Sequence, residues 1–269
     1  MIAFPQAKIN FGLSVVSKRP DGFHNIETVF YPIPLVDVLE IVPASNLSLT
    51  ITGLALEGNE ESNLVSRAYR LLKQDYHEIT PLAIHLHKHI PAGAGLGGGS
   101  SDAAHMLRML NTYFKLNISE GRLAQYALKL GSDCPFFIKP APAFASGRGE
   151  MLKPIQLDLS NYSILLVHPE IHISTPWAFS QITPGKPAKA ISTLIDSPPA
   201  TWRDQLLNDF ERPVFNQYPQ LKQIKEDLYK AGAVYASLSG SGSTLYGLFN
   251  KGEMPEKGIA TPTRQTFIP

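Results

Sequence analysis

The sequence predicts an α+β fold in two lobes, and three observations carry that prediction. Strand-like and helix-like stretches follow one another without a regular β-α-β repeat. A glycine-rich loop, Pro91 to Ser101, lies between a strand pattern and an amphipathic helix pattern. The chain of 269 residues has room for one or two domains of about 150 residues and a sizeable core.

Each element follows from local pattern. Ala7 to Val16 and Asn25 to Val42 are rich in Ile, Val, Phe and Thr and read as strands, separated by the turn signal Lys18-Arg19-Pro20-Asp21-Gly22. Leu47 to Ile51 alternates and ends at Gly53. Asn63 to Tyr76 changes to helical spacing, with Leu64, Ala68, Leu71 and Leu72 on one face. Leu82 to Ile90 reads as a strand and Ser101 to Phe114 as a helix. A third helix runs to Leu130, with Ser119 as its N-cap and Gly131 as its C-cap. The glycine turn Ser146-Gly147-Arg148-Gly149 opens the second half, which divides the chain into lobes at 1–150 and 151–269. Tyr162 to Val167 has the composition of a buried strand. Two or three helices occupy Ala188 to Lys230, interrupted by Pro198-Pro199, Pro213 and Pro219, before strands at Val234 to Leu238 and Thr244 to Phe249. The 20 residues after Phe249 are Pro-rich and weakly patterned.

Composition excludes several functions. With 43% hydrophobic and 17% charged residues the chain has the balance of a globular protein. Lys+Arg at 24 against Asp+Glu at 23 leaves +1, too little for a field that holds a nucleic-acid backbone. No apolar run approaches the roughly 18 residues of a membrane span. Met1 to Lys18 carries Lys8 and Asn10 inside its apolar stretch and lacks the layout of a signal peptide. Cys134, alone, makes no internal disulfide. The expectation is a soluble, cytoplasmic protein with no nucleic-acid, membrane or obligate protein partner.

The most informative stretch is Pro91-Ala92-Gly93-Ala94-Gly95-Leu96-Gly97-Gly98-Gly99-Ser100-Ser101-Asp102-Ala103-Ala104. Its glycines permit positive φ and let an anion approach backbone N–H groups. The following helix points its positive dipole end at the same place, and Ser100 and Ser101 add hydroxyl donors. A phosphate chain suits such a loop. A flexible linker would be flanked by low-complexity sequence, whereas this loop is embedded in patterned structure. Gly93-x-Gly95-x-x-Gly98 fits the dinucleotide fingerprint, yet the next 20 residues are a helix and a turn rather than the strand and acid that fingerprint needs. No Gly-Lys-Ser/Thr follows, which excludes a Walker A loop. Lys8 is expensive inside an apolar strand unless a carboxylate such as Asp133 pairs with it. Asn10 lies on the same strand face as Lys8. His85, His87 and His89 share one face of one strand, which reads as a solvated face rather than a metal site. Lys88 lies on the opposite, core-directed face, and Cys134 reads as a small buried residue.

Gly95 to Ala104 resembles the phosphate loop of the GHMP kinases. Ala7 to Leu13 with Asp21-Gly22-Phe23-His24 resembles the first motif of that family, and Leu238 to Thr244 its third. Within the family, Ala7-Lys8-Ile9-Asn10 and Leu130 to Phe137 resemble the members that phosphorylate 4-diphosphocytidyl-2-C-methyl-D-erythritol in the non-mevalonate route to isoprenoid precursors.

The resemblance implies a ribosomal protein S5 domain 2-like N-terminal lobe that binds ATP and a ferredoxin-like C-terminal lobe. It implies that Asp133 is the catalytic base and that Lys8 positions and activates the acceptor hydroxyl. ATP then contacts Asn63, Lys88 and the run Pro91, Ala92, Gly93, Ala94, Gly95, Leu96, Gly97, Gly98, Gly99, Ser100, Ser101 and Asp102. Mg²⁺ bridges the phosphates, with Ser100 the one candidate protein ligand. A substrate bearing a cytidine diphosphate group meets Asn10, Phe23, His24, Thr175 and Phe179, with Phe23 and Phe179 enclosing the base. The alternatives are a mevalonate- or homoserine-type kinase and a catalytically silent nucleotide-binding protein. Relatives usually close the second lobe with a helix that the segment after Phe249 does not supply.

Overall fold

In the computed structural model, which describes residues 1–55, 59–187, 189–255, 259 and 263–268, the chain forms twelve strands and seven α-helices among those residues. Two compact units result. The first comprises 1–8, 32–92 and 97–141; the second comprises 9–31, 93–96 and 142–269. The chain thus passes from one unit to the other inside its first long strand and inside the glycine loop. Position 150 lies in the hairpin between the strands Ala143–Ser146 and Met151–Pro154.

The first unit holds a sheet of β1 (Ile2–Ala3), β4 (Val38–Pro43), β6 (Leu82–Lys88) and β5 (Ser48–Gly53), where β2 is Gln6–Lys18 and β3 is His24–Val36. β4 pairs antiparallel with β6, and β5 runs parallel to it. Alternation sets the faces: Leu82, Ile84, Leu86 and Lys88 are buried, whereas His85, His87 and His89 are not. His85 and His87 both meet the Thr52 hydroxyl, and no group of three His, Cys, Asp or Glu side chains among the described residues could hold a metal. The histidine face is the solvated one expected.

Three helices complete this unit: α1 (Leu64–Asp75), α2 (Gly98–Tyr113) and α3 (Glu120–Leu130). Asn63 caps α1, its side chain accepting from the Val65 N–H, and Ser119 caps α3 by accepting from Arg122. Helix α2 starts three residues before the expected Ser101, at two glycines of poor helix propensity. Packing explains the first of them. A Cβ on Gly98 would stand 2.8 Å from the Ile90 Cγ2. Gly98 does not take positive φ; that conformation belongs to Gly93, Gly95 and Gly97 of the loop.

The second unit contains most of β2 and β3, followed in their sheet by β7 (Ala143–Ser146) and β8 (Met151–Pro154). Its other sheet orders β10 (Tyr235–Leu238), β11 (Leu245–Asn250), β9 (Tyr162–His168) and β12 (Arg264–Ile268). Helices α4 (Thr175–Ser180), α5 (Ile191–Leu194), α6 (Glu211–Gln217) and α7 (Pro219–Lys230) accompany it. Leu221, Ile224 and Leu228 of α7 join Leu165, Val167, Leu245 and Phe249 in one core cluster. Ala188, where the helical stretch was expected to open, lies outside the described residues. The segment after Phe249 supplies a strand: β12 pairs antiparallel with β9 from Arg264↔His168 to Ile268↔Ile164. Edge pairing by backbone needs little side-chain pattern, which is why the sequence showed none there.

Candidate active site

In the first unit, α2 follows the N-cap Gly97 with no side chain capping its free N–H groups, as an anion-binding helix end requires. Beside it a cavity of about 350 Å³ is walled by Leu49, Ile51 and Leu64, with Asn63, Lys88, Ala92, Gly99 and Asp102 also at its surface. The last five are residues expected to contact nucleotide, so the fold brings them together. Asn63 spends its Oδ1 on the α1 cap, which leaves the Nδ2 donors for a ligand. In the second unit, the loop segment 93–96 lies against the third glycine motif. A Cβ on Gly95 would be 1.9 Å from the Ser239 carbonyl oxygen, so no other residue fits there. The Ser239 hydroxyl donates to the Gly95 carbonyl, and the Thr244 N–H to that of Ala94.

Lys88 is buried between two buried carboxylates. Its Nζ donates to Asp37 and, at 2.8 Å, to Asp102. Burial works against the charge on Lys88, but the carboxylates outweigh it and leave its pKa raised. Burial also pushes Asp102 up to about 7, against the pull of Lys88 and with the repulsion of Asp37 added. Asp102 Oδ1 has no hydrogen-bond partner among the described residues. Asp37 was not anticipated. Its Oδ1 accepts the His89 N–H at 2.5 Å and the Ile90 N–H at 2.8 Å, so it pins the strand end that leads into the glycine loop. An acid inside the apolar run Leu35-Val36-Asp37-Val38-Leu39 was the signal, the same signal that singled out Lys8.

Lys8 and Asp133 do meet. Lys8 Nζ lies 3.6 Å from Asp133 Oδ2, with the lysine side chain 4% exposed and the aspartate 33%. Burial lowers the Lys8 pKa, and Asp133 restores part of the shift. Asp133 occupies the N-cap position of the 3₁₀ turn Cys134–Ile138 but makes no capping hydrogen bond, so a merely structural role as a cap does not account for it. Cys134 is fully buried, and burial pushes its thiol up to about 11, which leaves it an inert packing residue.

The second unit carries the aromatic residues. His24 stacks on Phe179 with ring centroids 4.9 Å apart and planes 14° apart, and Phe179 packs edge-on against Phe210. Phe23 is 51% exposed and lies beneath the Arg148 guanidinium, 4.7 Å from its ring centre. No ring contact joins Phe23 to Phe179 among the described residues. Burial, and secondarily Lys18, lowers the His24 pKa and so favours the neutral ring near pH 7. Asn10 donates to the Thr28 hydroxyl at 3.0 Å, and the Thr175 hydroxyl lies 3.2 Å from that of Ser241.

Residues 63–139 match the GHMP kinases N terminal domain, and residues 194–259 match the GHMP kinases C terminal domain. The chain is 53% identical, over 97% of each sequence, to the 4-diphosphocytidyl-2-C-methyl-D-erythritol kinase of Bacteroides thetaiotaomicron. The chain belongs to the GHMP kinase family. The protein of the same description from Parabacteroides distasonis is 51% identical over 93% of this chain and 92% of its own. A crystal structure of a 4-(cytidine 5'-diphospho)-2C-methyl-D-erythritol kinase superposes with a TM-score of 0.79 at 33% identity, covering 92% of this chain and 90% of that one. As a GHMP kinase the chain is an ATP-dependent small-molecule kinase with the α+β architecture expected. Among the described residues no helix is long and apolar enough to cross a membrane.

Proposed function

We propose that this chain transfers the γ-phosphoryl group of ATP to the 2-hydroxyl of 4-diphosphocytidyl-2-C-methyl-D-erythritol, giving the 2-phosphate and ADP. The observation that carries the reading is the Lys8–Asp133 pair, a buried ammonium beside a carboxylate that is one-third exposed. Asp133 accepts the proton of the acceptor hydroxyl as the oxygen attacks phosphorus. Lys8 donates to that hydroxyl oxygen, and its charge, paired with Asp133, offsets the negative charge that gathers there. In a dry site this ammonium counts for more than it would in water.

The glycine loop and the uncapped start of α2 hold the phosphates, and the neighbouring cavity, at the lower end of ligand-pocket sizes, takes the adenosine end of ATP. Ser100 and Asp102, whose Oδ1 has no partner among the described residues, are oxygen donors of the kind Mg²⁺ accepts. With no cluster of three metal-binding side chains among the described residues, Mg²⁺ would ride mainly on nucleotide phosphates and water. When bound it neutralises charge on the transferring group. His24, Phe179 and the open face of Phe23 supply aromatic surface to the cytosine, and the neutral His24 ring can both donate to and accept from the base edge. Asn10 and Thr175 hold the remainder of the substrate.

The ATP-binding lobe spans 1–150 and the C-terminal lobe 151–269, and the enzyme works in the cytoplasm without an obligate protein partner. An ADP-release assay decides the acceptor. Turnover with the cytidine compound and none with mevalonate or homoserine is the expected result; the reverse pattern overturns the reading.

A further inference from the structure

The segment Leu207-Asn208-Asp209-Phe210-Glu211 attracted no attention as sequence, yet three of its side chains are committed to backbone elsewhere in the second unit. Asn208 is 3% exposed, and its Nδ2 donates to the Leu238 carbonyl at 2.8 Å and the Gly240 carbonyl at 2.9 Å. Its Oδ1 accepts the Phe210 N–H at 2.9 Å, so every strong hydrogen-bonding direction of the amide but one is used. Asp209 Oδ2 accepts the Val15 N–H at 2.7 Å, and backbone bonds join Leu13 to Leu207 and Asp209. Glu211 Oε1 accepts the Leu238 N–H and the Ser237 hydroxyl, each at 3.1 Å.

What this brace holds is the glycine turn Ser239-Gly240-Ser241-Gly242. Gly240 has φ of +57°, and a Cβ there would stand 3.4 Å from Gly95 of the glycine loop and 3.6 Å from the Asn10 Oδ1. Ser241 next to it meets Thr175. Gly240 therefore faces, across no more than the width of a side chain, one residue expected on the phosphate side and one expected on the acceptor side. Its carbonyl is held by the amide of Asn208, a residue expected on neither side.

We propose that Asn208 is a positioning residue for phosphoryl transfer: its amide holds the Gly240 turn in register with both Gly95 and Asn10. The proposal rests on the assignment of those two residues to nucleotide and acceptor. Small errors of alignment matter in such a reaction, since a displacement of about 1 Å can cost about 100-fold in rate. The loss belongs in kcat, because the ligands keep their own contacts.

Asn208→Asp tests it. The substitution keeps the shape and the acceptor for Phe210, but turns carboxylate oxygen toward two carbonyl oxygens. We expect kcat to fall about 10- to 100-fold on the acceptor that wild type turns over fastest, with both KM values within about threefold. Trp202→Phe, which removes a partly buried hydrogen bond of the same unit (Nε1 to the Ser197 carbonyl), serves as the stability control. It should lower the melting temperature while kcat stays near wild type. Equal losses of kcat in the two variants, or a raised KM with kcat unchanged, would overturn the proposal. If Asn208→Asp does not fold, Asn208→Ser, which leaves room for a bridging water, is measured in its place against the same two criteria. Wild-type inactivity toward the cytidine compound alone would overturn the acceptor assignment and leave the Asn208 comparison intact.

Discussion

Two lysines of the first unit, Lys8 and Lys88, are buried to nearly the same degree and differ in everything that follows from their partners. Lys88 sits between two buried carboxylates, and its pKa is raised. Lys8 has a partner 3.6 Å away that remains one-third exposed, and its pKa is lowered. The first arrangement is closed at the cation: Lys88 gives its charge to two buried carboxylates, Asp37 spends its other oxygen on the backbone before the glycine loop, and only Asp102 Oδ1 is left over. The second is open, because Asp133 keeps capacity to accept a proton from something outside the protein. A buried cation held by two buried carboxylates fixes the structure around it; one whose partner stays in reach of solvent leaves that partner available for chemistry.

The comparison is tested most severely at Asp133. Asp133→Asn keeps the shape but cannot take the hydroxyl proton, so turnover should fall about 10²- to 10⁴-fold, with ATP affinity by calorimetry within a few fold. Near-normal turnover at saturating substrate would remove Asp133 from the base role.

The two lysines should then separate by what their loss does. Lys88→Met leaves two carboxylates buried without their cation, and should cost about 3–5 kcal/mol in a urea titration. Lys8→Met removes an ammonium that burial already disfavours and leaves Asp133 partly in water. It should abolish turnover while changing stability by no more than about 1 kcal/mol. Equal destabilisation by the two variants would erase the distinction between closed and open pairs.

Phe179→Ala is a smaller perturbation. Loss of a stacking partner should raise KM for the cytidine compound by the equivalent of about 1–3 kcal/mol, with KM for ATP unchanged. Its edge contact with Phe210 means that the melting temperature falls as well. A stability loss with both KM values moving together would leave no base-binding role for the ring.

The smallest effect concerns pH. Asp102 has a folded pKa of about 7 against 3.8 when unfolded, so between those values the folded state holds the extra proton. Wild-type stability should therefore lose this contribution as pH rises from 4 to 7. Asp102→Asn lacks it, and its melting temperature should gain on wild type by a few degrees over that window. A difference that is flat with pH would place the Asp102 carboxylate in the ordinary acidic range.

Much of the site was legible because its signals are local. Lys8 in an apolar strand, glycines before a helix, and Ser119 and Gly131 around α3 are all readable within a few residues. The glycine loop shows where such reading stops. Gly93, Gly95 and Gly97 take the positive φ expected, but Gly98 is glycine because Ile90 leaves no room for a side chain. The aromatic end shows the same limit: that Phe179 stacks on His24, 155 positions earlier in the chain, is no property of either segment.

The sequence by itself determined the order of strands and helices, the glycine loop before α2 and the chemical character of Lys8 and Asp133. Hydrophobic period, capping residues and the cost of a charge in an apolar run act over short stretches of chain. Only the tertiary structure decided that Lys88 is shared with Asp37, 51 residues away, and that Asn208 reaches Gly240, 32 residues away. It also decided that two compact units interleave along the chain and that the last described segment pairs as a strand with β9. These depend on which backbone and side-chain groups packing brings within hydrogen-bond reach once water is excluded. Burial makes those partners obligatory, and no local pattern names them.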